Sequence, residues 1–120
     1  MNKLMENDLT EFLDGYEIEV NEVDFAYLID LMDKGRLVIE NNRCIFKLKK
    51  PIMVGDNDQN PLTEIDMTPK TFGEMMAVEN ISDVLKRLSK LFNVKENYLS
   101  RMNAPTMKKV ISIFEIFFRD

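Results

Sequence analysis

The sequence predicts an α+β fold: a small antiparallel β-sheet or hairpin followed by a C-terminal bundle of three to four helices. Two observations carry this. Between residues 37 and 67, apolar residues alternate with polar ones, the period of a half-buried strand. From Thr68 onward the apolar spacing changes to that of a helix. The 120 residues are 45% apolar, enough for a hydrophobic core and too many for a disordered chain.

The elements follow in order. Leu9 to Leu13 predict a short first helix. Tyr16, Ile18 and Val20 alternate with Glu17 and Glu19, which predicts a half-buried strand. Residues 21–34 read as a helix, because Phe25, Leu28, Ile29 and Met32 form one stripe; Asn21 can cap its start and Gly35 can end it. Leu37-Val38-Ile39 is a strand, and Asn41-Asn42 is a tight turn, since asparagine tolerates positive φ. Residues 43–49 alternate again, with Cys44, Phe46 and Leu48 on the apolar side. Pro51 has no amide to donate, so this strand ends there or lies at an edge. Residues 55–61 form a polar loop, and Ile65 and Met67 mark a returning strand.

Thr68 or Thr71 can cap the next helix, and Thr71-Phe72-Gly73-Glu74 fits a capping box. That helix carries Met75, Met76 and Val78. Two later segments share one spacing: Ile81, Val84, Leu85, Leu88, Leu91 and Phe92, then Met107, Val110, Ile111, Phe114, Phe117 and Phe118. Each predicts a helix burying a three-turn stripe. A short helix over 95–102 lies between them. Asn103 caps the last helix, and Pro105 sits in its first turn, where a missing amide is harmless.

Charge divides the chain. Residues 1–43 carry eleven Asp/Glu against four Lys/Arg, a balance of −7; residues 44–120 carry ten against twelve, a balance of +2. We therefore read residues 1–43 as an acidic N-terminal extension (strand plus helix) and residues 44–120 as the main domain. The acidic front argues against nucleic acid as a partner. No apolar run is long enough to span a membrane, and the first residues lack a secretory leader, so a cytoplasmic location is expected.

The residues for catalysis are missing. The chain has no histidine, which removes the commonest general base and metal ligand. Cys44 is the single cysteine and reads as a small buried hydrophobe. Asp56, Asp58 and Asn60 resemble the start of a calcium loop, but Pro61 and Met67 stand where glycine and a bidentate glutamate are needed. The four glycines are scattered, so no phosphate-cradling loop exists. No catalytic, cofactor-binding or metal-binding residue is assigned, and no enzyme is expected.

Apolar surface remains for binding. Ile113 and Ile116 lie off the main stripe of the last helix, which is apolar almost all round near its end. Nine methionines suit a surface that accepts varied apolar partners, and adjacent Met75 and Met76 cannot face the same core. The predicted partner-binding set is Met75, Met76, Ile113, Phe114, Ile116, Phe117 and Phe118. The basic face Lys86, Arg87 and Lys90 is solvated, or meets an acidic partner or the acidic residues of another copy, as in a homo-oligomer.

Residues 46–52 (Phe-Lys-Leu-Lys-Lys-Pro-Ile), residues 62–74 with Pro69-Lys70-Thr71-Phe72-Gly73-Glu74, the apolar run 84–92 and the closing Phe114-Glu115-Ile116-Phe117-Phe118 form one pattern. It resembles the tail assembly chaperones of Mu-like contractile-tailed bacteriophages and prophages, over about residues 44–119. Lys70 is an extra residue relative to that pattern, and Asn103 stands at an often acidic position. The resemblance implies a cytoplasmic protein, absent from the virion, that binds the tape-measure protein during tail morphogenesis. Two alternatives are a structural tail or baseplate component retained in the virion, and a small adaptor or regulatory protein.

Overall fold

The computed structural model describes residues 3–118. Its elements are α1 (Lys3–Gly15), α2 (Glu22–Asp33), β1 (Leu37–Glu40), β2 (Arg43–Ile52), β3 (Leu62–Asp66), α3 (Phe72–Val78), α4 (Val84–Phe92), α5 (Glu96–Arg101) and α6 (Ala104–Phe118). The sheet is antiparallel in the order β1-β2-β3, so the fold is α+β with four helices following the sheet.

Local chemistry sets most boundaries. Asn21 Oδ1 accepts from Asp24 N–H at 2.8 Å and starts α2. At the other end, Gly35 N–H reaches Met32 O and Arg36 N–H reaches Leu31 O, with Gly35 at φ +72°. That double closure needs a left-handed residue, which glycine supplies without a Cβ penalty. Asn41 and Asn42 both take positive φ and turn β1 into β2, with Leu37 facing Phe46 and Glu40 facing Arg43. Thr71 and Glu74 complete the capping box of α3. Asp83 caps α4 and Asn103 caps α6.

The strand expected at residues 16–20 does not form. Its amides are used elsewhere: Tyr16 N–H bonds to Phe12 O, Glu17 N–H to Asp14 O and Ile18 N–H to Leu13 O. These bonds close the C-terminus of α1 with Glu17 in the left-handed region, at φ 56°. The alternation was a real burial pattern, since Tyr16, Ile18 and Val20 are half-buried while Glu17 and Glu19 are exposed. It runs along the connection between α1 and α2 rather than in a ladder. The first helix is also longer than residues 9–13.

The division at residue 43 is corrected as well. It falls inside the β1–β2 hairpin, where Ile39 pairs with Cys44. Residues 3–43 contribute Leu9, Phe12, Leu28 and Ile29 to the same core as Phe46, Ile65, Val110 and Ile113. Among the described residues no polar or charged residue is buried. Cys44 lies in this core with 0% exposure, and burial pushes its thiol far above the usual range.

β2 changes role along its length. Its first half is central, bonded to β1 and β3. Beyond Lys47, whose N–H bonds to Arg36 O, no strand among the described residues continues on the β1 side, and the register to β3 is irregular between Lys47 and Ile52. Pro51 sits in this second half, where its missing amide disturbs no β1 pairing.

The loop after β2 is tied to α5. Asp58 accepts from Val54 N–H and Asn60 N–H, both at 3.0 Å, and from the Tyr98 hydroxyl at 2.7 Å. Val54 N–H is the main cause holding the Asp58 carboxyl below its usual value, followed by Tyr98 and then Asn60 N–H. The same bond raises the Tyr98 phenol. A depressed carboxyl stabilises the fold above the unfolded-state pKa of about 3.9, and this support disappears as pH falls through the lower folded value. Tyr98→Phe should move the Asp58 carboxyl up toward its ordinary range in an NMR titration. An unchanged Asp58 titration would mean that the tether is not formed.

Candidate functional site

The last helix is apolar over a wide arc, and the fold splits that arc in two. At about 100° per residue, the apolar positions of α6 sweep about 220° of its circumference. Val110, Ile113, Ile116 and Phe117 occupy one half and are 0–5% exposed. Met107, Phe114 and Phe118 occupy the other half and are half-buried, and Ile111 beside them is 37% exposed.

The buried half meets the N-terminal helices. Phe117 packs against Phe12 of α1 with ring centroids 5.9 Å apart, and Ser112 and Ile116 line a small cleft with Tyr27 of α2. The other half turns to α4, where Phe114 meets Phe92 edge-on at 5.6 Å and lies 4.7 Å from the Phe118 ring.

α4 does not close over this second half. Its last turn is buried through Leu91 and Phe92, but Leu85 and Leu88 are only half-covered and Val84 is 61% exposed. The expected three-turn buried stripe is therefore open at its N-terminal end. The result is a groove of about 510 Å³ between α3, α4 and α6. Val78 and Leu91 form its floor. Met75, Leu88 and Phe114 form its walls, and Val84 and Ile111 stand at its lip. Glu79, Arg87 and Glu115 supply the polar rim.

Arg87 is committed to the scaffold. Its Nε and Nη2 both donate to the Ile81 carbonyl, at 2.9 and 2.5 Å. This pins the connection before α4 and fixes one end of the groove. It also occupies the guanidinium edge that would bind a carboxylate or phosphate. Arg87 is thus not part of a freely solvated basic face.

The predicted partner-binding residues separate into three groups. Met75 and Phe114 line the groove. Met76 is 48% exposed on another face of α3, near Phe72 at 80%, and Phe118 is half-buried beside Phe114. Ile113, Ile116 and Phe117 are core residues, which corrects their assignment to the surface. Periodicity found the width of the apolar arc but not which half faces inward. Spacing alone places Val84, Leu88, Leu91 and Ile111 in buried stripes, and nothing in it marks them as groove.

Among the described residues, no group of three or more His, Cys, Asp or Glu could hold a metal ion. No helix among them is long and apolar enough to cross a membrane. Neither a protein-family model, nor a curated protein, nor a solved structure matches the chain.

The two halves of α6 should respond differently to truncation. Ile113→Ala should cost about 2–5 kcal/mol in urea unfolding, the range for a fully buried isoleucine. Ile111→Ala should cost about 0.5 kcal/mol or less. Equal losses would contradict the division of the arc.

Proposed function

We propose that this chain is an apolar-helix-binding protein, and specifically a tail assembly chaperone of a Mu-like contractile-tailed phage or prophage acting in the host cytoplasm. In this reading the α3–α4–α6 groove takes apolar side chains from one face of a helix of the tape-measure protein. The groove is the observation that carries the binding class. The resemblance over residues 44–119 carries the choice of partner.

The groove's chemistry favours a helix over a small metabolite. Small-molecule sites combine an apolar pocket with a few converging polar groups. Here the floor and walls are entirely aliphatic, aromatic or thioether, and Arg87 already serves the Ile81 carbonyl. An amphipathic helix needs only the apolar trough and a polar rim. Met75 adds a flexible wall that adapts to different side chains.

The same features suit temporary binding. A long helical protein exposes apolar stripes until its permanent cover assembles around it. A shallow groove shields part of such a stripe at modest affinity and is then displaced by mass action.

The test uses the lip residues, because the buried aromatic end would unfold the protein when charged. Val84→Asp with Ile111→Asp should reduce capture of the co-expressed tape-measure protein at least tenfold, a change of about 1.4 kcal/mol or more. Far-UV circular dichroism should stay native. Undiminished capture by a folded double variant would remove the groove from the function. Mass spectrometry of purified particles should find the chain absent; stoichiometric recovery there would favour a retained tail or baseplate component.

A further inference from the structure

A second concavity of about 390 Å³ lies between the open side of β2 and the α5–α6 corner. Five cationic side chains line it, Arg36, Lys49, Lys50, Arg101 and Lys109, with no carboxylate among its lining residues. Its apolar floor includes Leu48, Ile52 and buried Met102.

The fold creates this concentration of charge. A regular strand would send consecutive Lys49 and Lys50 to opposite faces, but the irregular register between Lys47 and Ile52 brings both to one cleft. Arg36 is held in place by its Nε bond to Lys47 O at 2.9 Å and by stacking on Phe46 at 4.9 Å. The first turn of the 15-residue α6 opens on the same space through Asn103, Pro105 and Thr106, adding the positive end of its dipole. None of the five cations is in an ion pair among the described residues, whose three pairs are Lys34–Asp30, Arg43–Asp66 and Lys47–Glu64.

The complementary surface is on the same chain. Asp8, Glu11 and Asp14 are exposed at three-residue spacing along α1, and none of them is in an ion pair among the described residues. They belong to the segment whose balance is −7. The acidic helix face matches the basic cleft in sign. Nucleic acid matches less well, because the −7 front and the overall −5 repel a polyanion.

We infer that the basic cleft binds the acidic α1 face of a second copy of this chain, joining copies head to tail. The contact is heterologous: one patch of each copy meets a different patch of the next. Such contacts form rings or open chains rather than closed two-fold dimers. The attraction is between exposed charges, so it acts over a Debye length of about 10 Å at 0.1 M salt and about 3 Å at 1 M.

The full chain tests this by light scattering after size exclusion. At 0.1 M NaCl the mass should rise with concentration above the 14.1 kDa monomer, and it should return to monomer at 1 M. The cleft variant Lys49→Ala/Lys50→Ala/Arg101→Ala should be monomeric at 0.1 M. So should the helix variant Asp8→Asn/Glu11→Gln/Asp14→Asn. An equimolar mixture of the two should form a 1:1 complex that grows no further, because each variant retains the half the other lacks. Recovery in the mixture also shows that both variants are folded. A wild type that stays monomeric at 0.1 M up to about 1 mM overturns the inference. Association that survives 1 M salt or persists in either variant does so too, as does a mixture that remains monomeric. A monomeric wild type that instead binds an oligonucleotide through the same lysines would assign the cleft to nucleic acid and also overturn it.

Discussion

Helix α6 must satisfy two surfaces with one arc of apolar side chains. Its inner half fills the space against α1 and α2, through Phe117 on Phe12 and Ile116 beside the cleft it shares with Tyr27. Its outer half supports α4, through Phe114 on Phe92. Without the inner contact the N-terminal helices lose their cover. Without the outer one α3 and α4 have nothing to lean on. The remaining architecture follows from that shared position, including the groove. The outer half is broader than the short α4 can hide, so Ile111 and Val84 are left at a lip.

Much of this was legible in the residues. Asn21, Asn41-Asn42, Thr71 with Glu74, Asn103 and Pro105 announced their turns and caps, because each has a specific local hydrogen-bond or dihedral reason. The change of period near Thr68 marked the passage from sheet to helices. Residues 16–20 show the limit of periodicity. Alternating burial there is real, yet the amides bond backward into α1, and only the cap geometry at Glu17 reveals this.

The candidate site was harder to read, for a related reason. Spacing gives the angular width of an apolar face but not its zero point when the face exceeds half the circumference. A stripe centred between Phe114 and Phe118 and one centred between Val110 and Ile113 fit α6 equally well. Tertiary contacts chose the second, so Ile113, Ile116 and Phe117 went inside and Ile111 came to the lip. The basic cleft was invisible for another reason: Arg36, Lys49, Arg101 and Lys109 are far apart in sequence and converge only through the fold.

The most direct test of this arrangement is solvent accessibility of the α6 isoleucine methyls, read by NMR with a soluble paramagnetic probe. Ile111 should show strong relaxation enhancement and Ile113 and Ile116 protection, in the free protein and without any partner. Protection of Ile111 equal to that of Ile113, or enhancement of all three, would contradict the division of the helix between core and groove.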